Sequence, residues 1–151
     1  MIVQDPKHFK YSDFRCSHCQ RLKIDSDLVE LVNRARDQFG GPIIVTSGYR
    51  CPTYNRSVGG VRLSKHVQGL AADITPIRRG ARPFLRLFDV LMELNPPGLG
   101  YYWSSVRRER FFHVDLRPKG RGRWGYAGDR KFQDWPAVLD HVELLRTMPN
   151  A

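Results

Sequence analysis

The chain has 151 residues and a mass of 17.5 kDa, with 41% hydrophobic and 11% aromatic residues, which suits one domain with one core and excludes disordered and collagen-like chains. No apolar run approaches the roughly 20 residues that a membrane-spanning helix needs, so no membrane span is expected. The 25 Lys and Arg residues against 15 Asp and Glu give a formal net charge of +10, which predicts attraction to polyanions without choosing among nucleic acid, anionic membrane and acidic cell-wall polymer.

The first ten residues, MIVQDPKHFK, contain Asp, Pro and Lys where a secretory signal has an apolar stretch. We therefore expect no signal peptide and synthesis in the cytoplasm. If the protein acts outside the cell that makes it, another agent must release it.

The first predicted elements are a helix and a strand. Apolar residues recur with a period of 3.6 over residues 28–39, after a capping Asp25 or Ser26 and before a terminating Gly40. Residues 42–46 form a β-branched run, which predicts a buried strand. The glycine-bracketed segment that follows has room for at most one short helix.

The later elements complete a single predicted domain over residues 1–151. They are a second strand (70–74), a helix (83–95), two antiparallel strands (99–103 and 111–116), an exposed Gly- and Arg-rich loop (117–130) and a final helix (134–145). The helix over 83–95 carries one apolar stripe, formed by Phe84, Leu87, Phe88, Leu91 and Met92. This order predicts an α+β fold in which a small, mostly antiparallel sheet packs against two to three helices.

The three cysteines are too few for a disulfide scaffold, and their odd number leaves at least one unpaired within a monomer. Cys16 and Cys19 have the C-x2-C spacing of zinc sites. Three states stay open: a structural zinc with His18 as the fourth ligand, a disulfide from Cys51 to one partner, or free thiols.

His66, His113 and Asp73 are candidates for a catalytic zinc set. Imidazole nitrogen and carboxylate oxygen suit Zn²⁺, and three protein ligands leave the fourth tetrahedral position open for water. By spacing alone the signal is weak, because a lone histidine is more often an ordinary surface or core residue.

The residues around these side chains form an ordered series of motifs. It contains S-G-Y-R at 47–50, S-x-H at 64–66, G-x-A-x-D at 69–73 and H-x-D at 113–115. With this series the chain, from about residue 14 to 117, resembles the zinc D-alanyl-D-alanine carboxypeptidase and L-alanyl-D-glutamate endopeptidase family, which includes VanY-like enzymes and phage endolysins. The resemblance leaves residues 118–151, the predicted loop and final helix, without a counterpart.

The resemblance implies a hedgehog-like α+β fold and one catalytic Zn²⁺ ion bound by His66, Asp73 and His113. It also implies a metallopeptidase that hydrolyses an amide bond in peptidoglycan stem peptides, as a D-Ala-D-Ala carboxypeptidase or an L-Ala-D-Glu endopeptidase, in cell-wall lysis or remodelling. An anionic cell-wall polymer is then a fitting partner for the basic surface. The missing signal is compatible with a phage-encoded lysin that acts at the bacterial wall.

Three further residues are expected in the substrate cleft. Arg50 matches a family arginine that lies beside the metal and steadies substrate or transition-state oxygens, a role that suits the fixed fork of guanidinium donors. Ser64 matches a small polar residue near the site. Tyr49 is expected in the core or in the cleft wall, where an aromatic ring could shape a peptide groove.

The chain departs from the family pattern at the general base. Several branches have an acidic residue three positions before the last histidine, where this chain has Arg110. Side chains alternate along a strand, so Asp115 shares a face with His113, and Glu109 does so if the strand extends that far. We expect Asp115 first and Glu109 second as the base. The alternatives are that Asp115 orients His113 or pairs with Arg50, and that Glu109 is a solvated surface charge.

Three functions remain open at this point. A zinc peptidase explains the most residues and is favoured. A binding module that keeps the metal but has lost hydrolysis is the alternative, and Arg110 favours it. A nucleic-acid binder built on the basic segments 78–79, 107–110 and 119–123 is the least favoured.

Overall fold

The computed structural model describes residues 5–104, 109–128 and 132–148. Within these residues the chain forms one 3-10 helix, four α helices and five strands. In chain order they are the 3-10 helix Tyr11–Phe14, α1 Ser26–Phe39, β1 Ile43–Ser47, α2 Pro52–Ser57, β2 Ala71–Pro76, α3 Ala81–Leu94, β3 Gly98–Trp103, β4 Arg110–Asp115, β5 Gly122–Ala127 and α4 Trp135–Thr147. In this described part of the chain no helix has the length and apolar character needed to cross a membrane.

The strands form one mixed sheet in the order β1-β2-β4-β3-β5. The β1–β2, β2–β4 and β3–β4 pairs are antiparallel, and only β3 and β5 run parallel. The predicted α+β fold with a mostly antiparallel sheet is therefore confirmed. In the register of β2 and β4, Asp73 lies directly opposite His113.

The predicted helix ends follow from local capping. The carboxylate of Asp25 accepts a hydrogen bond from the Asp27 amide (2.8 Å), and Gly40 ends α1 in the left-handed conformation with φ of 70°. The carboxylate of Asp134 likewise accepts from the Ala137 amide at the start of α4 (3.1 Å). These side chains satisfy amides that have no partner inside the helix.

Two strand predictions need correction. The run at 42–46 is not a buried strand: β1 lies at the sheet edge, its residues alternate, and Ile44 is 43% exposed. The segment 117–130 is not wholly a loop, because Gly122–Ala127 forms β5 alongside β3. Its Gly and Arg composition indicates a loop, whereas pairing with β3 supplies the backbone hydrogen bonds that make it a strand.

The core lies on one face of the sheet, and the candidate site lies on the other. Phe112 and Val114 on β4 are fully buried, while the intervening His113 faces the opposite side. The ring of Phe84 on α3 packs 4.2 Å from that of Phe112, with Tyr101 and Trp103 edge-on at 5.3 and 5.0 Å. This aromatic cluster fixes α3 against the central strands.

Helix α3 differs from its prediction at its first residue and at the last residue of its apolar stripe. It begins at Ala81, two residues before the predicted start at Pro83. Met92 is 37% exposed and does not belong to the buried stripe, whereas Leu91 is fully buried.

Phe84→Ala should lower the free energy of unfolding by about 3–5 kcal/mol, because it removes the ring at the centre of the aromatic cluster and leaves a cavity. Urea unfolding measures this difference. Met92→Ala on the exposed side of the same helix is the control and should change the free energy by less than about 1 kcal/mol. A similarly small loss in both variants would contradict the packing of Phe84.

Candidate metal centre and substrate cleft

Three ligand atoms converge on one point at the sheet face away from the core. Nε2 of His66 lies 3.2 Å from Oδ1 of Asp73 and 3.2 Å from Nδ1 of His113, and the last two atoms are 3.1 Å apart. His66 and Asp73 are only 2% and 5% exposed. The structure therefore brings together the three residues predicted as metal ligands.

The local backbone explains how His66 reaches Asp73 and His113. His66 lies in the turn before β2. Gly69 closes this turn with φ of 73°, and its amide donates a hydrogen bond to the His66 carbonyl (3.2 Å). A residue with a side chain is strained at that φ, which is why glycine suits the position. Asp73 then follows on β2, opposite His113 on β4.

Each imidazole is held from behind by a hydrogen-bond acceptor. Nδ1 of His66 donates to the Gly48 carbonyl (2.7 Å), and Nε2 of His113 donates to Oδ2 of Asp115 (2.9 Å). Carbonyl and carboxylate oxygens only accept, so each rear nitrogen carries a proton, and in the neutral imidazole the facing nitrogen presents a lone pair. Together with Oδ1 of Asp73 they form a three-acceptor site that fits a metal cation.

The charges at this site follow from the same contacts. Burial would raise the pKa of Asp73, but the charges and hydrogen bonds of His66 and His113 outweigh it and hold the pKa below its ordinary value. Asp73 is therefore an anionic ligand. Burial would lower the pKa of His113, but hydrogen bonds to Asp115 and Asp73 raise it, so a metal at Nδ1 competes with a proton.

Arg50 is anchored beside the metal set. One terminal guanidinium nitrogen donates to Oδ2 of Asp73 (3.0 Å), and its Nε donates to the Ser47 hydroxyl (2.9 Å). One carboxylate oxygen of Asp73 thus faces the imidazoles, and the other faces Arg50. The Arg50 side chain is 17% exposed and lines the cleft.

Asp115 contacts the rear of His113. It is fully buried, and both carboxylate oxygens accept hydrogen bonds from the Arg117 side chain (2.9 and 2.7 Å). Burial would raise the pKa of Asp115, but the bonds from His113 and Arg117 hold it below its ordinary value. This placement does not fit the expected general base, because the carboxylate is at the imidazole nitrogen opposite the converging atoms. It fits the alternative in which Asp115 orients His113, and its partner is Arg117 rather than Arg50.

Glu109 lies on the cleft wall. The Ser104 amide donates to the Glu109 carbonyl (2.8 Å), which continues the β3–β4 ladder and places Glu109 on the His113 face. Four residues along a strand span about 13 Å, so Glu109 is far from His113 along the cleft. Arg110, at the usual acidic position, stacks on the Trp103 ring at 3.8 Å.

The other two residues predicted to bind substrate, Ser64 and Tyr49, differ in whether they line the cleft. The Ser64 hydroxyl accepts a hydrogen bond from the His66 amide (3.2 Å) and lines the cleft. Tyr49 is not among the described residues that line it. Tyr49 lies two residues before Cys51, and burial and the charges of Cys19 and Cys51 raise the pKa of its phenol.

The cleft over the metal set has a volume of ≈ 970 Å³. One wall comes from the segment 58–66, and the opposite wall from aromatic residues of the sheet and the chain after it, namely Tyr102, Phe111, Trp124, Tyr126 and Phe132. Such a volume accommodates a short peptide.

Sequence reasoning missed the contribution of β5 and of Arg117 to the cleft. The Trp124 ring lies 5.2 Å from the His113 ring, and its Nε1 donates to the Tyr102 hydroxyl (2.9 Å). The alternation of Trp124 and Tyr126 with small residues was the available signal for a strand with one aromatic face.

Comparison with known proteins agrees with this arrangement. A search of curated proteins gives no match to the chain. A family model described as Peptidase M15 matches residues 7–115, which begins earlier than the resemblance expected from about Phe14 and ends just short of Arg117. The match covers the three converging ligands, Arg50 and Asp115. The chain belongs to the peptidase M15 family.

Proposed function

We propose that the protein is a zinc peptidase that hydrolyses an amide bond in peptidoglycan stem peptides, at D-Ala-D-Ala or at L-Ala-D-Glu. The observation that carries this proposal is the convergence of two imidazole lone pairs and one carboxylate oxygen in an open cleft. Family membership supports a peptidase, and the cleft volume suits a short peptide.

The donor set fits zinc. His66, Asp73 and His113 supply two nitrogens and one oxygen, the type of ligand set found in catalytic zinc sites that keep one position open. When bound, zinc supplies Lewis acidity for attack on an amide carbonyl.

The residues of the chain have separate roles around that ion. The guanidinium of Arg50 holds Asp73 in place and offers its remaining donors to a substrate carbonyl or carboxylate. Asp115 is a positioning residue that fixes the proton on Nε2 of His113. The aromatic wall of the cleft contacts the peptide and excludes water. A net charge of +10 favours binding to an anionic wall.

Glu109 is the proposed proton acceptor. Three carboxylates line the cleft among the described residues, and Asp73 and Asp115 are both held by arginine. Glu109 is the remaining one.

A binding module is the second candidate function. It is favoured by one observation: Arg110 stands at the usual acidic position, and its guanidinium stacks on the Trp103 ring at 3.8 Å. Such a protein binds zinc and peptidoglycan without hydrolysis.

Wild-type protein loaded with zinc should release amino groups from purified peptidoglycan, and a chelator should abolish the release. His66→Ala should bind one zinc ion fewer per chain and lose hydrolysis, because two protein ligands rarely hold a catalytic zinc. His8→Ala is the matched control, since His8 pairs with Asp37 outside the cleft. Full hydrolysis by the His66 variant would rule out the metal site, and mass spectrometry of the fragments identifies the bond cleaved.

Asp115→Asn should weaken zinc binding by about 10- to 100-fold, as loss of a partner behind a histidine ligand typically does. Excess zinc should then restore most of the hydrolysis rate, because the reacting groups are intact. Asp89→Asn, in the exposed ion pair with Arg146, is the control and should leave zinc affinity unchanged. If zinc affinity is unchanged and excess zinc does not restore the hydrolysis rate, the result would indicate that Asp115 is the general base.

Glu109→Gln should leave the zinc content unchanged and lower the hydrolysis rate by about 10²-fold or more, as loss of a general base does. Single-turnover assays on a defined stem peptide measure the rate. Glu93→Gln, on the exposed side of α3, is the control and should be as active as the wild type. A wild-type rate in the Glu109 variant would exclude this carboxylate.

A further inference from the structure

The three cysteines lie together although they come from two distant segments. The Sγ atoms of Cys16, Cys19 and Cys51 are within 4.8 Å of one another, and none of them is in a disulfide. Cys16 is fully buried and stands 35 residues before Cys51. This cluster shares no residue with the converging histidines and aspartate.

The backbone around the cluster is arranged to hold sulfur atoms. Residues 16–21 form a turn closed by the bond from the Cys16 amide to the Arg21 carbonyl (2.8 Å), and Gln20 within it has φ of 63°. This turn brings Cys16 and Cys19 to one side. The Cys51 amide donates to Sγ of Cys16 (3.4 Å), which docks the second segment on the first.

Amide donors at the sulfurs favour the form that binds metal. Sγ of Cys16 accepts from the Cys51 amide (3.4 Å). Sγ of Cys51 accepts from the Tyr54 amide (3.4 Å) at the start of α2. Thiolates, rather than thiols, are metal ligands.

A fourth donor stands next to the sulfurs. Nδ1 of His18 lies 3.6 Å from Sγ of Cys51, and its ring is stacked on that of Tyr54 at 6.0 Å with an interplanar angle of 1°. In tetrahedral zinc with bonds of about 2.3 Å to sulfur and 2.0 Å to nitrogen, a sulfur and a nitrogen ligand are about 3.6 Å apart and two sulfurs about 3.8 Å. The spacing of His18 and Cys51 fits that geometry, and the three sulfurs lie within 4.8 Å of one another.

We propose that Cys16, His18, Cys19 and Cys51 bind a structural zinc ion. Three sulfurs and one imidazole nitrogen complete a tetrahedron, which leaves no open position for substrate or water. The ion cross-links the turn at 16–21 to the beginning of α2.

The position of this zinc site gives it a role in the neighbouring cleft. Cys51 directly follows Arg50, whose amide donates to the His66 carbonyl (3.2 Å). The backbone amide of the preceding residue, Tyr49, donates a hydrogen bond to the Phe14 carbonyl (2.7 Å). A metal cross-link at Cys51 therefore restrains the segment that positions the Arg50 guanidinium.

Metal analysis of the full-length protein, purified under reducing conditions and loaded with zinc, tests the proposal. The wild type should hold two zinc ions per chain, and Cys51→Ser should lose one of them. Serine caps a helix well, so this variant keeps the start of α2. His66→Ala should also lose one, and the double variant both. Ser17→Ala, an exposed change in the same turn, is the control and should keep two.

Cobalt replacement identifies the ligands. Co²⁺ should give thiolate-to-metal charge-transfer absorption in the wild type and in His66→Ala, and this absorption should be lost in Cys51→Ser. His18→Ala should keep it but release the metal at lower chelator concentration. On the His66→Ala background, a chelator should lower the Tm, because the remaining ion cross-links the fold.

Several results would overturn the structural zinc. One is a wild type with a single zinc ion that Cys51→Ser retains. Another is an intact mass lower by two hydrogens before reduction, which indicates a disulfide. The test is independent of the peptidase proposal: one zinc kept by His66→Ala and lost by Cys51→Ser supports the cysteine site and rejects the catalytic one.

Discussion

Three electron-pair donors that point at one another are the constraint on which the rest of the site depends. Two imidazole nitrogens and a carboxylate oxygen lie 3.1 to 3.2 Å apart, an arrangement that a cation stabilises. It requires each imidazole proton to be held elsewhere, and the Gly48 carbonyl and the Asp115 carboxylate hold them. It also requires the charge of the carboxylate to be balanced on its other side, where Arg50 donates.

The sheet lets these buried charges coexist with a dry core. Along β4 the side chains alternate, so Phe112 joins the aromatic cluster while His113 faces the cleft. Asp115 can lie flat beside β3 because its partner in the register is Gly98, where any side chain would overlap the carboxyl group. A single glycine on β3 thus makes room for the carboxylate that hydrogen-bonds to His113 on β4.

Arg50 lies between two clusters of metal-binding groups. On one side it is paired with Asp73, and on the other it is followed by Cys51. Both clusters join segments that are far apart in the chain.

The sequence by itself determined the helices, most of the strands and the family, because these depend on local periodicity, capping residues and an ordered series of motifs. The role of Asp115 was undecided, since strand alternation gives the face of a residue but not which imidazole nitrogen it meets. Strand β5 was missed because its Gly- and Arg-rich composition is overridden by pairing with β3. Only the tertiary structure brought Cys51 to Cys16, because a contact across 35 residues depends on how the intervening helix and strand pack.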